Sequence, residues 1–301
     1  MPNYSNQRAV AIENTCKAFR DRHDLGSLAN IYYGQRKYDG CQGIVLTSSK
    51  QMISRTGKQV LSCDHIIKQV VDLFGPGWVV FGEVWMTRTE FAVIGGKFRA
   101  HSPCSELSFV LYDVVTEQAF NGTDDDPATY RERLHHIEAL LEMSSFFDTR
   151  ALMVASTYNP GTYGHPQVAA NALVQLKHDE HNGNHFDGMI LRDPDAPWLM
   201  GDAKNGALIK VKPHLSFTLR VVGFDMAVGA KTGRPTAALL CAFKGGRVLR
   251  VGSGLDHASQ ADPGPLVGKL VEVEATEYSS DGLLREPRFK GIRDDVTTAD
   301  F

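Results

Sequence analysis

The sequence predicts an α+β protein of two domains, a mixed first domain over residues 1–215 and a small β-barrel over 216–301. Three observations carry that expectation. Apolar runs of strand length alternate with amphipathic helical patterns as far as about residue 215. From Pro213 onward the chain reads as short strands with turn signals between them. At 301 residues the chain has the length of about two domains.

Residues 7–30 read as a helical segment, with Val10, Ile12, Cys16 and Phe19 apolar among charges. An apolar stretch, Ile31-Tyr32-Tyr33, leads into a strand that holds Lys37 at its rim. Asp39-Gly40 follows as a tight turn, since glycine takes positive φ without steric cost. Ile44-Val45-Leu46 is the next strand, and residues 54–58 form a polar turn. Asp64 caps a helix whose apolar face is Ile66, Ile67, Val70, Val71 and Phe74, ended by Gly75-Pro76-Gly77. Residues 78–86 and 107–115 are strands, the first interrupted by Gly82-Glu83. Asp124-Asp125-Asp126-Pro127 starts a helix carrying Leu134, Ile137, Leu140 and Leu141, with proline at its first turn. A third helix covers residues 166–181. Residues 186–192 and 207–212 are strands, and the loop 193–205 with Trp198 is too polar to be core.

In the second domain, strands fall at 218–224, 236–243, 247–251, 269–276 and 285–293. Gly245-Gly246 joins two of them as a hairpin, and Ser280-Asp281-Gly282 makes a further turn. Five strands in so short a stretch fit an OB-fold.

A net charge of −3 excludes bulk attraction to polyanions, so any nucleic-acid surface must be a local patch. The cysteines at 16, 41, 63, 104 and 241 are scattered and form no Cys-x-x-Cys, which fits a reducing compartment. No stretch is apolar enough for a signal peptide or a membrane span, so the expected location is cytoplasmic and no membrane partner is expected.

The polar residues that interrupt the first domain's strands fall at strand ends: Lys37-x-Asp39-Gly40, Ser54-Arg55-x-Gly57, Gly82-Glu83, Tyr112-Asp113, Asp187-Gly188 and Lys210-x-Lys212. Glu83 within an apolar run costs several kcal/mol unless it is paired or solvated in a cleft. Lys210 and Lys212 share one face of a strand, and two like charges so placed want an anion such as phosphate between them. Each residue alone has a plain alternative. Lys37 would be a solvated lysine beside a turn, Glu83 and Asp187 surface acids, Tyr112 a core aromatic, and Arg285 and Arg293 solvated on a barrel face. Thr56-Gly57-Lys58 is no P-loop, because Met52 stands where the first glycine is needed. Gly252-Ser253-Gly254 is a turn, and His178, His181 and His185 read as a solvated helix end more than as zinc ligands.

Taken in order, the set resembles the signature series of the ATP-dependent DNA ligases, within the covalent nucleotidyltransferases that include RNA ligases and capping enzymes. Arg285-Glu-Pro287-Arg-Phe289-Lys-Gly-Ile-Arg293-Asp294 resembles the last of those signatures, so the likeness runs over nearly the whole chain. The compact size is similar to the minimal viral and bacterial ligases. The resemblance implies a nucleotidyltransferase domain of mainly antiparallel sheets flanked by helices, then an OB-fold barrel. Lys37 would attack the ATP α-phosphorus and carry AMP, with Lys210, Lys212 and a divalent metal favouring its neutral form and stabilising the phosphate. Gln35, Glu83, Tyr112, Arg285 and Arg293 would bind the nucleotide: Glu83 on the ribose, Tyr112 on adenine, the arginines at the pyrophosphate end. Asp187 and Glu83 would hold Mg²⁺, with Mn²⁺ as a substitute, and Arg55 would meet a phosphate.

The implied reaction is ATP-dependent sealing of 5′-phosphate/3′-hydroxyl nicks in duplex DNA by a monomer serving repair, replication or recombination. An RNA ligase or a GTP-using capping enzyme is the alternative within the superfamily. A decayed OB-fold nucleic-acid-binding protein is the alternative of another class. Four positions depart from the ligase pattern: Gln42 for arginine, Phe81 for aspartate, Asp187 for glutamate, and Asp295 for lysine. Only Lys-Gly-Gly separates Phe243 from Arg247, too short for an inserted arm that encircles DNA. A charge-based grip helped by Lys231 and Arg234 is expected instead.

Overall fold

The turn at Asp39-Gly40 separates two sheets. In the computed structural model, which describes residues 7–301 apart from 124–126, 145–147, 149, 159–164, 229–232, 234 and 280, the chain divides into units Met1–Lys212 and Pro213–Phe301. Tyr33–Tyr38 lies in a four-stranded sheet in the order Leu208–Val211, Phe186–Arg192, Tyr33–Tyr38, Thr157–Tyr158. Cys41–Leu46, directly after the turn, lies in a six-stranded sheet. Its order is Gln59–Val60, Gln51–Ser54, Cys41–Leu46, Trp78–Trp85, Ser108–Thr116, Leu152–Val154, with only the last pair parallel. Gly40 does not use the positive φ expected of it. A side chain is excluded there because its Cβ would lie 2.3 Å from the carbonyl oxygen of Val84.

Helices cover the sheets with their apolar faces. Asp64–Phe74 buries Ile66, Val70 and Phe74. Cys63 is its N-cap, so Asp64 acts on the helix dipole from the first turn and does not cap, as the sequence reading had it. The expected helix from Asp124 begins at Tyr130 and runs to Met143. Thr129 caps it, reciprocally with Glu132, and this Thr-x-x-Glu box is the start signal that the proline had masked. The first three aspartates lie outside the described residues. Pro166–Gln175 is shorter than expected, and Phe91–Phe98 is a helix with no counterpart in the sequence reading.

The single helix expected over 7–30 is also corrected. The segment is a strand Gln7–Arg8 paired with Gly201–Asp202, followed by short turns at Ile12–Asn14, Lys17–Arg20 and Leu25–Leu28. Thr15 Oγ1 donates back to the Ile12 carbonyl at 2.6 Å, and Cys16 is extended, which stops the first turn. Asp24 and Ser27 then form a capping box that starts the last.

In the second unit five antiparallel strands run in the order Arg247–Val251, Pro235–Phe243, Leu215–Val228, Leu270–Ala275, Arg288–Ile292. The expected barrel is not closed. Among the described residues its edges meet at one bridge, where the Phe289 amide donates to the Ser253 carbonyl at 2.8 Å. Gly254 makes that approach possible: its φ is +93° and a Cβ would lie 2.1 Å from the Phe289 oxygen. A short helix, His257–Ala261, capped by Asp256, interrupts what the sequence reading took as strands and turns alone.

Candidate active site

Two β-bulges aim side chains into one cleft of about 1040 Å³ in the first unit. Phe186 pairs with Tyr38 and Met189 with Arg36, so Asp187 and Gly188 together oppose Lys37. Gly188 takes φ +113°, and a Cβ there would strike the Val211 carbonyl at 2.2 Å. Only glycine allows the bulge, and the bulge turns Asp187 toward Lys37. In the other sheet Phe81 pairs with Asp113 and Gly82 with Leu111, leaving Tyr112 as the extra residue. Gly82 has no room for a side chain, since a Cβ would lie 2.6 Å from the Phe109 ring.

Lys37 Nζ lies 2.6 Å from Asp187 Oδ2, and Lys212 Nζ lies 3.4 Å from the same oxygen. Burial works to lower the Lys37 pKa, but Asp187, then Glu83 and Asp39, raise it, and the net direction is up. Around this amine the protein's own carboxylates outweigh its lysines, so Lys210 and Lys212 without the expected divalent metal do not favour the neutral form. Burial, then repulsion from Lys212 and Lys37, lowers the pKa of Lys210. Burial pushes the Glu83 carboxyl up to about 7, against the pull of Lys37.

Behind Tyr112 stands a buried network absent from the sequence reading. Arg133 Nε and Nη2 donate to the two oxygens of Asp113 at 2.7 and 3.2 Å, and Arg192 Nη1 donates to Asp113 Oδ2 at 3.3 Å. The Arg192 guanidinium packs on the Tyr112 and Tyr130 rings, 5.1 and 4.6 Å from their centroids. Its Nε donates to Gln35 Oε1 at 2.8 Å, while Gln35 Nε2 donates to Tyr130 Oη at 2.7 Å. Gln42 Nε2 donates to the Tyr112 phenol oxygen at 2.5 Å. The ring is thus held on one face and at its edge. No local pattern marks this network, because its members lie far apart in the chain and read singly as surface charges.

Gln35, Lys37, Arg55, Glu83, Tyr112, Asp187, Lys210 and Lys212 all line the one cleft. The Gln35 amide is engaged inside the protein. Phe81 is buried and stacks on Trp198 at 6.0 Å, so the loop thought too polar for core contributes a buried indole to the cleft wall. Arg285 and Arg293 belong to the other unit, where Arg293 pairs with Asp295 at 2.8 Å. Lys231 and Arg234 lie outside the described residues. The three histidines at 178–185 form no metal cluster among the described residues.

Residues 230–293 match the family model of the DNA ligase OB-like domain. No curated protein sequence matches the chain significantly. Among solved structures, one named Pmar-Lig_Pre aligns over 98% of this chain and 68% of its own, with TM-score 0.70 and 21% identity. A Lig E DNA ligase, described with a minimal DNA-binding scaffold, aligns over 96% of this chain and 99% of its own, with TM-score 0.65 and 16% identity. The ATP-dependent DNA ligase from bacteriophage T7 in complex with ATP aligns over 97% and 99%, with TM-score 0.53 and 16% identity. The class is thereby defined: a mixed domain carrying the cleft, followed by an OB-like domain. Within that class the chain has the two-domain fold of the minimal DNA ligases.

Proposed function

We propose that the protein is an ATP-dependent DNA ligase that seals nicks through a lysyl-AMP intermediate. The observation that carries this reading is the convergence of Lys37, Glu83, Tyr112, Asp187 and Lys210, from five strands of two sheets, and of Lys212 directly after the last of them, on one cleft. Such a site suits phosphoryl transfer, where positioning and electrostatics supply most of the rate.

In the first step the Lys37 nitrogen forms a bond to the α-phosphorus of ATP while the bond to the bridging oxygen breaks and pyrophosphate leaves. The amine must first lose a proton, and Asp187 Oδ2, at 2.6 Å, is placed to receive it. At a pKa near 10.4 only about one free lysine in 10³ to 10⁴ is neutral at pH 7, so this proton matters. Lys210 and Lys212 meet the charge on the α-phosphate. Tyr112 offers its free face to the base. AMP then passes to a 5′-phosphate at a nick, and the 3′-hydroxyl displaces it. Arg285 and Arg293 are assigned to the pyrophosphate end of ATP.

The donor set fits Mg²⁺, which binds through one or two carboxylates plus substrate phosphates. Asp187 and Glu83 supply those carboxylates, and among the described residues there is no third donor to make an all-protein cage. Bound there, the ion would offset the acids that hold Lys37 protonated and draw charge from the phosphate.

The test is intact mass after incubation with ATP and Mg²⁺, with peptide mapping of the adduct. An AMP adduct on Lys37, absent from Lys37→Ala, is the expected result. Labelled GTP run in parallel separates a capping enzyme, and absence of any adduct would leave only a binding protein.

A further inference from the structure

The segment that leads into Asp187 is held from outside its own sheet. Residues 179–185 run up to the strand Phe186–Arg192. Asp179 Oδ1 accepts from the amides of His181 and Asn182 at 2.8 and 3.1 Å, which fixes a turn there. The carbonyls of that turn accept from Arg88. Its Nε donates to the Asn182 oxygen at 3.0 Å and its Nη2 to the His181 oxygen at 2.5 Å. The Arg88 amide donates in addition to Asn184 Oδ1 at 3.1 Å. Arg88 takes φ +54°, a strained conformation for a residue other than glycine, and these three bonds to one segment hold it there. Gly183, at φ +60°, leaves room for the arginine stem, since a Cβ there would come 3.3 Å from Cγ of Arg88.

Arg88 lies just past the end of Trp78–Trp85, the strand that carries Glu83. The same strand end takes a second hold on the segment. Trp85 Nε1 donates to the His185 carbonyl at 3.3 Å, and the Asp39 amide donates to the same oxygen at 3.4 Å. The buried Trp85 indole stacks on Phe186 with 15° between the ring planes. Tyr38 meets both rings edge-on, at 5.2 and 5.3 Å. Each of these rings is tied through the chain to a residue of the cleft. Tyr38 follows Lys37, Phe186 precedes Asp187, and Trp85 stands on the strand of Glu83. Lys37 and Asp187 belong to the four-stranded sheet and Glu83 to the six-stranded one. The joint at His185 and Phe186 therefore sets the spacing of these three groups across the gap between the sheets.

We infer that Arg88 and Trp85 are positioning residues of the Lys37 site: from the strand of Glu83 they clasp residues 181–186 and so fix where Asp187 stands against Lys37. The inference rests on the ligase reading of that site. Neither residue is among those that line the cleft, so both act through the short stretch of backbone that joins His185 to Asp187. A small displacement there matters, because a misplacement of about 1 Å is enough to slow an aligned displacement reaction severely. The competing reading is a local loop anchor whose effect ends at residue 185, and the experiment separates the two.

Wild type, Arg88→Ala, Arg88→Lys and Trp85→Phe are compared, each with and without Asp187→Asn. One arm follows amide hydrogen exchange of the protein alone, and the other the rate of adduct formation with ATP and Mg²⁺. In Arg88→Ala, exchange should quicken in residues 36–41 and 186–192 as well as in 179–185. Adduct formation at saturating ATP should slow at least about fivefold, with KM for ATP within about twofold of wild type. Arg88→Lys should recover part of the rate, since an ammonium spans two carbonyls less well than a planar fork. Trp85→Phe, which keeps a ring on Phe186 and loses the donor to His185, should show the same pattern more weakly. On the Asp187→Asn background the Arg88→Ala loss should shrink to about twofold or less, because the group it positions is already altered. Exchange that quickens in 179–185 alone, adduct formation within twofold of wild type, or an undiminished loss on that background overturns the inference. If wild type forms no adduct, the ligase reading fails on its own. The exchange arm then decides: quickening in 36–41 and 186–192 upholds the clasp, and confinement to 179–185 overturns it.

Discussion

Asp187 reaches Lys37 only because two residues of one strand oppose a single residue of the next. The 2.6 Å contact is a product of the bulge at Asp187-Gly188, and the Lys37 amine is held protonated by it. Gly188→Ala, with φ at +113° and the Val211 carbonyl 2.2 Å from the new Cβ, should destabilise the first unit by about 1–3 kcal/mol and slow adduct formation. Urea denaturation and the adduct rate check both.

Asp187→Asn removes the charge that raises the Lys37 pKa most. The amine then deprotonates at lower pH, so the acid limb of adduct formation against pH should move to lower pH even as the maximum falls. A limb that stays in place while the maximum falls would mean that Asp187 acts on the metal alone.

The Glu83 carboxyl, pushed up to about 7 from an ordinary 4.5, binds protons more tightly in the folded state than in the unfolded. Its contribution is fully present below about 4.5 and is lost as pH rises through about 7. Glu83→Gln should therefore gain on wild type across that window, by on the order of 1–3 kcal/mol at pH 8. Urea midpoints of both proteins at pH 5 and 8 measure the difference.

Gln42 Nε2 donates to the Tyr112 phenol oxygen at 2.5 Å, which under the proposed function ties it to the nucleotide. Gln42→Ala should raise KM for ATP about five- to tenfold and leave sealing of a pre-adenylated nick close to wild type. The reverse pattern would place residue 42 on DNA.

Asp113→Asn leaves Arg133 and Arg192 buried with their shared counter-charge removed. The loss should be about 3–5 kcal/mol, readable as a drop in urea midpoint. Arg192→Lys keeps the charge but cannot bond Gln35 and Asp113 at once, so ATP affinity should fall with little change in the adduct-forming rate of the saturated protein.

Much was legible in the primary structure. Alternation and turn residues placed the strands that carry Lys37, Glu83, Tyr112, Asp187 and Lys210, with Lys212 just past the end of the last, because strand faces follow a two-residue period that survives in the linear text. The order of those residues, set against a known series, suggested their chemistry. Tertiary structure decided what no local pattern encodes. It set which residues oppose each other across strands far apart in sequence, hence the bulges that turn Asp187 and Tyr112 into the cleft. It gave Arg192, Arg133 and Asp113 one another as partners, and it set Arg88 on the carbonyls of His181 and Asn182. Charge is written in the chain, but its pairing depends on distance in space. For that reason the sequence shows the lysines at 210 and 212 but not the proximity of three carboxylates to Lys37, which raises the pKa of its amine.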